Sequence, residues 1–265
     1  MNNNPIGIFD SGVGGLSVWK ELVKILPNES IIYYADSANC PYGTKTQAEI
    51  IHLSQRIVEF FIQQNVKLII VACNTATAAS IDFLRKYYTI PFVGMEPAVK
   101  PAALKTKKGI VGILATEGTF NGRLFNETTE KWASNIQVEI QVGKGFVELV
   151  ERGDFYSDKA ISTVKTVLQP LLDKGIDQLV LACTHYPFLY ESIREVSKDI
   201  QLEIINPAPA VVKQTQNLLK DNNALANKEQ IAEHHFYSSG SLETMQQIVK
   251  KINPNLSASF QTKQL

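Results

Sequence analysis

The sequence predicts an α/β protein made of two similar three-layer α/β domains with mostly parallel sheets, and three observations carry that prediction. Short apolar runs alternate with segments of helical periodicity along the whole chain, the pattern of strands covered on both faces by crossover helices. The stretch Lys67-Leu68-Ile69-Ile70-Val71-Ala72-Cys73-Asn74-Thr75 is echoed by Asp177-Gln178-Leu179-Val180-Leu181-Ala182-Cys183-Thr184-His185. Finally, 265 residues suit two modest domains better than one core.

Taken in order, Ile6-Gly7-Ile8-Phe9 is an apolar run stopping at Asp10-Ser11-Gly12-Val13-Gly14-Gly15, after which Leu16, Trp19, Leu22, Val23 and Leu26 fall at helical spacing. That reads as strand, glycine turn, helix. Pro27-Asn28 ends the helix, a second strand covers Ile31 to Ala35, and a polar loop from Asp36 closes on Pro41-Tyr42-Gly43. A helix over 46–64 places Ile50, Ile57, Val58 and Phe61 on one face and leads into the strand ending at Cys73. Asn74 or Thr75 is positioned to cap the next helix, 76–87. Ile90 to Gly94 is another strand, and Met95-Glu96-Pro97-Ala98 is the expected crossing between the halves.

The second half opens on Gly109 to Leu114, a strand ending in Ala115-Thr116-Glu117-Gly118-Thr119, with Thr116 in the place of Ser11. A helix over 121–133, a strand over 136–142 and a loop through Glu151-Arg152-Gly153-Asp154 come next. An amphipathic helix with Ile161, Val164, Leu168 and Leu171 then feeds the strand ending at Cys183. Thr184 is placed to cap the next helix, with Pro187 in its first turn. A strand at 202–205, a helix over 210–219, a strand near Phe236-Tyr237 and a helix over 241–250 complete the reading.

With 26 basic and 26 acidic residues and no basic block, the chain lacks the footprint of a nucleic-acid or membrane-surface protein, and a small-molecule partner is expected. The N-terminus has no signal-peptide pattern and no run reaches a membrane span, which reads as cytoplasmic. Three cysteines, Cys40, Cys73 and Cys183, read as free thiols in a reducing compartment.

Ligands of parallel sheets lie beyond the carboxyl ends of the strands, where Asp10, Ser11, Cys73, Thr116 and Cys183 all fall. A thiol at a helix amino terminus faces unpaired N–H groups and the positive end of the helix dipole, which favours the thiolate. Two such thiols in matched places suggest a pair of bases, whereas Cys40 has no twin and is read as structural. Three other readings explain less. Gly12-x-Gly14 with Asp36 beyond a second strand resembles a dinucleotide fingerprint, but Ser17 replaces the third glycine and Asp10 would repel a pyrophosphate. A metal site from Cys73, Cys183 and His185 lacks paired ligand spacing, so no metal is expected. Cysteine hydrolysis leaves the second thiol unexplained.

The residues resemble the glutamate racemases of the aspartate/glutamate racemase superfamily. The likeness rests on Gly7 through Leu16, Pro41-Tyr42-Gly43, Ala72-Cys73-Asn74-Thr75, Ala115-Thr116-Glu117-Gly118-Thr119, Glu148-Leu149-Val150-Glu151 and Cys183-Thr184-His185-Tyr186-Pro187. It departs chiefly at Ala182. The resemblance implies two domains related by a pseudo-two-fold with the active site in the cleft between them. The first would comprise residues 1–96 and 208–265, and the second residues 97–207. It further implies cofactor-independent racemisation of glutamate, with Cys73 taking the α-proton from the D-enantiomer and Cys183 from the L-enantiomer. Asp10 would assist Cys73, while Glu151 would orient His185 to assist Cys183. Asp10, Ser11, Tyr42, Gly43, Asn74, Thr75, Thr116, Thr119, Thr184 and His185 match substrate-holding positions. A homodimer and a role in supplying D-glutamate for peptidoglycan are implied as well. Racemisation of aspartate, or a related isomerisation of a small acid, is the alternative within the superfamily.

Overall fold

The computed structural model describes residues 1–96, 98–120, 123–133 and 135–265. In chain order its first part runs β1 (Ile6–Asp10), α1 (Leu16–Ile25), β2 (Ile31–Ala35), α2 (Gln47–Gln63), β3 (Leu68–Val71), α3 (Asn74–Tyr87), β4 (Phe92–Gly94) and α4 (Val99–Lys105). Its middle part runs β5 (Ile110–Ala115), α5 (Glu117–Phe120), α6 (Arg123–Trp132), β6 (Gln137–Val142), α7 (Phe146–Glu151), α8 (Asp158–Asp173), β7 (Gln178–Ala182), α9 (Tyr190–Val196) and β8 (Glu203–Ile205). The chain closes with α10 (Ala208–Asp221), β9 (His234–Ser238), α11 (Glu243–Ile252) and β10 (Ala258–Thr262). Pro97, at the expected crossing, and Asn121, at the expected start of a helix, lie outside the described residues.

Every residue of β1, β2, β3 and β7 is buried, which explains why these strands read as continuous apolar runs and not as alternating ones. They form two fully parallel sheets, one ordered β10-β9-β2-β1-β3-β4 and the other β6-β5-β7-β8. The order β2-β1-β3-β4 is reproduced as β6-β5-β7-β8, so the sequence repeat is a repeat of topology. Cys73 comes after the third strand of one set and Cys183 after the third strand of the other. The first sheet draws β9 and β10 from the end of the chain.

The helices obey local rules. Thr46 and Glu49 form a reciprocal capping box at the start of α2, and Ser157 caps α8 through the Ala160 N–H at 3.1 Å. Apolar packing then joins the two sheets, since one buried cluster runs from Ile8 and Trp19 to Leu168 and Leu181. The edge strand β10 was not expected from sequence. It pairs Phe260 with Phe236, whose rings stack at 5.1 Å, but much of it is exposed and its apolar signal is one residue wide.

Candidate active site

The first half-site grows out of β1 and β3. The Ala72 N–H donates to the Phe9 carbonyl at 2.8 Å, carrying the sheet one residue past β3 before the chain turns into α3. Cys73 is the N-cap of that helix: it holds an extended backbone and its sulfur accepts from the Ala76 N–H at 3.4 Å. This corrects the expectation that Asn74 or Thr75 caps, because the helix starts at Asn74 itself. The Cys73 thiol also donates to Ser11 Oγ at 3.7 Å. The helix terminus does not dominate here. Burial, reinforced by the negative charge of Asp10, pushes the Cys73 thiol well up, and the opposing Ala76 N–H and Ser11 contacts are smaller.

Asp10 is wholly buried. Its two carboxylate oxygens accept from the Ser11 N–H at 2.8 Å and the Gly15 N–H at 2.6 Å, and Thr184 Oγ1 donates to it at 3.3 Å. The residue therefore braces the glycine turn while also facing Cys73. Burial raises its carboxyl, opposed by the charge of His185 and by hydrogen bonds from Cys73 and the Gly15 N–H.

The second half-site departs from the first. Beyond Cys183 the chain makes a short 3-10 turn over Tyr186–Leu189, flanked by His185 in helical conformation without a side-chain cap. Thr184, expected to cap, instead directs its hydroxyl at Asp10 across the cleft. His185 Nδ1 stands 3.8 Å from Cys183 Sγ, and Nε2 stands 2.6 Å from Glu151 Oε1. Burial alone would lower the imidazole, but hydrogen bonds to Cys183, Cys40 and Glu151 outweigh it and hold His185 well above its ordinary value. Glu151, read from sequence as a loop carboxylate, is the last residue of α7.

The glycine turn has a role that sequence alone did not reveal. Glu151 Oε1 accepts from the Val13 N–H at 2.7 Å, so the turn of the first half holds the carboxylate of the second. A Cβ on Gly12 would lie 1.9 Å from Glu151 Oε1, and one on Gly14 would lie 2.4 Å from His185 Nδ1. These glycines make room for the histidine–glutamate pair. Asp36, the ribose partner in the dinucleotide reading, accepts instead from Tyr42 OH at 2.6 Å and Ser239 Oγ at 2.8 Å.

Both half-sites open on one cavity of about 10 Å³, room for roughly one water. Ser11, Cys73, Asn74 and Thr75 line it from the first half. Thr116, Cys183, Thr184 and His185 line it from the second, with Tyr42 and Gly43 contributed by the loop after β2. Thr75 Oγ1 meets Thr116 Oγ1 at 2.8 Å across the cleft, and Thr119 bonds Thr116 from behind at 3.0 Å. Both side-chain polar atoms of Asn74 are buried without a hydrogen-bond partner among the described residues, an arrangement costing about 1–3 kcal/mol per group unless a ligand satisfies it. Cys40 is half-buried and its thiol approaches His185. The sequence offered no sign of that contact, because the two residues lie on loops far apart in the chain.

Comparisons with known proteins agree with this geometry. The family model described as Asp/Glu/Hydantoin racemase matches residues 6–215. A glutamate racemase of Herpetosiphon aurantiacus is 47% identical over 219 residues, 83% of this chain and 86% of the relative. The crystal structure of glutamate racemase from Francisella tularensis in complex with D-glutamate superimposes with a TM-score of 0.85 at 32% identity, covering 100% of this chain and 98% of that one. The Escherichia coli enzyme, crystallised with L-glutamate and the activator UDP-MurNAc-ala, superimposes with a TM-score of 0.84 at 32% identity, covering 98% and 97%. No helix among the described residues is long and apolar enough to cross a membrane. The chain belongs to the Asp/Glu/Hydantoin racemase family of isomerases.

Proposed function

We propose that the protein interconverts L- and D-glutamate by proton transfer between two cysteines on opposite faces of the α-carbon. The observation that carries this reading is the pair Cys73 and Cys183, at equivalent strand ends of a repeated sheet and lining one cavity with an unpaired asparagine amide. Relatives named glutamate racemase, and related structures holding D- or L-glutamate, support the substrate.

In the L-to-D direction Cys183 takes the α-proton as thiolate, the electron pair left on carbon delocalises into the carboxylate, and the Cys73 thiol donates its proton to the opposite face. The two thiols end in exchanged protonation states. The environment of each sulfur suits this start: burial and Asp10 raise the Cys73 thiol, while the raised imidazole of His185 stands 3.8 Å from Cys183. A thiol with an ordinary pKa of about 8.5 is a weak base toward an α-carbon, so the carbanion needs preorganised donors. Ser11, Asn74, Thr75, Thr116 and Thr184 supply them in a water-poor cleft, with Tyr42 and Gly43 beside them and Thr119 steadying Thr116. Asp10 assists Cys73, and Glu151 orients His185 toward Cys183. A cavity of about 10 Å³ is smaller than glutamate, so substrate binding requires the halves to part, first at the Thr75–Thr116 contact.

We assign residues 1–96 and 208–265 to one domain and 97–207 to the other, in line with the membership of the two sheets. The reading extends to a cytoplasmic homodimer supplying D-glutamate for peptidoglycan. Circular dichroism of separate D- and L-glutamate and aspartate solutions, with no cofactor added, tests the activity: loss of optical activity from both glutamate enantiomers is expected. An unchanged signal from both would remove the proposal, and faster loss from aspartate would reassign the substrate.

A further inference from the structure

We propose that Cys40, Glu151 and His185 form an inhibitory site for a soft divalent cation of the zinc class. One donor atom from each lies within 4.8 Å of the others, and the three arrive from separate elements: the loop after β2, the end of α7 and the turn after β7. Sulfur, imidazole nitrogen and carboxylate oxygen are the ligands zinc selects, and three protein ligands leave a fourth tetrahedral position for water. The sulfur and imidazole donors disfavour magnesium and calcium, which take oxygen.

The separations suit such an ion after small movements. Nitrogen and oxygen ligands on a tetrahedral zinc stand roughly 3.3 Å apart, and sulfur and nitrogen roughly 3.6 Å, given bonds of about 2.0–2.3 Å. His185 Nε2 and Glu151 Oε1 are 2.6 Å apart, so the carboxylate must move out by roughly 0.7 Å, while the Cys40 sulfur already lies within 4.8 Å of both donors. The side chains that must move are the less enclosed ones, Glu151 being 21% exposed and Cys40 half-buried against 2% for His185, and the outward shift of Glu151 lengthens its bond from the Val13 N–H. On binding, the Cys40 thiol and the His185 imidazolium each release a proton to solvent, leaving a thiolate and a carboxylate to balance the charge of the ion.

An ion held there takes His185 and Glu151 away from Cys183. That consequence rests on the racemase reading, whereas the binding does not. The test titrates cobalt(II), a spectroscopic substitute for zinc, into the full chain and monitors glutamate racemisation with zinc(II) in parallel. A thiolate-to-cobalt absorption band should persist in the Cys73→Ser, Cys183→Ser double variant and vanish in both Cys40→Ser and Cys40→Ala. Glu151→Gln, which keeps every cysteine, should weaken cobalt binding at least tenfold. Zinc should inhibit the wild-type chain reversibly on chelation, and the Cys40 variants should need at least tenfold more. A band that survives loss of Cys40, or zinc inhibition unchanged in both Cys40 variants, overturns the proposal. A Cys40-dependent band in a chain that racemises neither enantiomer supports the metal site and removes the racemase reading.

Discussion

Cys73 and Cys183 occupy the same place in a repeated strand order, yet their surroundings differ in kind. Cys73 caps a helix of 14 residues and shares its pocket with a buried carboxylate. Cys183 precedes a 3-10 turn of 4 residues and faces an imidazole backed by a second carboxylate. Backbone symmetry thus places two equivalent sulfurs, while side chains set a carboxylate against one and an imidazole against the other. The helix dipole does not decide the state of Cys73, because burial and a nearby charge act on the thiol more strongly than one N–H at 3.4 Å.

The comparison breaks most sharply when one sulfur is removed. Cys73→Ala and Cys183→Ala should each lower racemisation by about 10²–10⁴-fold or more, the span typical of losing an acid or base. Enantiomers have equal free energy in water, so kcat/KM must fall equally in both directions for any variant. The asymmetry therefore has to be read from isotope exchange. In heavy water, Cys183→Ala should exchange the α-hydrogen of D-glutamate alone and Cys73→Ala that of L-glutamate alone. Exchange of the opposite enantiomer would reverse the assignment of faces.

A smaller loss, about 10²-fold, is expected from Gly14→Ala, since the new Cβ meets His185 Nδ1 and a displacement near 1 Å costs that much at a reacting centre. Steady-state rates on both enantiomers check it, and near-wild-type turnover would show that the glycine turn does not position the pair. Glu151→Gln keeps an acceptor oxygen but removes the negative charge behind one of the hydrogen bonds that raise His185. A charge-assisted hydrogen bond is worth about 1.5–3 kcal/mol, or roughly one to two pH units. A base whose pKa is raised keeps its proton to higher pH, so losing Glu151 should shift the alkaline limb of the pH–kcat/KM profile downward by about that amount. Thr119→Ala should have the least effect. Its hydroxyl only steadies Thr116 at 3.0 Å, and losing one hydrogen bond of about 1 kcal/mol changes kcat/KM by a few-fold, measured on both enantiomers.

Much of the site was legible because its signals are local. The apolar runs before Cys73 and Cys183, the glycine turn after Asp10 and the repeated strand-end pattern each sit within a few neighbouring residues, where strand and turn propensities act. The cap of α3 lies one or two residues before the expected Asn74 or Thr75 because Asn and Thr are commoner N-caps than Cys, and only the folded backbone shows which residue keeps extended angles. The edge strand β10 escaped because one phenylalanine in a largely exposed segment is a weak strand signal. Local pattern placed Glu151 in a loop and only the family resemblance tied it to His185, because its partners, the Val13 N–H and His185, lie 138 and 34 positions away.

The sequence by itself determined a doubled α/β fold and the two strand-end thiols, since hydrophobic periodicity and repetition are properties of the chain. Tertiary structure alone decided which groups lie within reach of those thiols, that Gly12 and Gly14 make room for the opposite half, and that Cys40 approaches His185. Those facts depend on distances between segments remote in sequence, and on burial, which sets proton affinity only after the two halves have packed together.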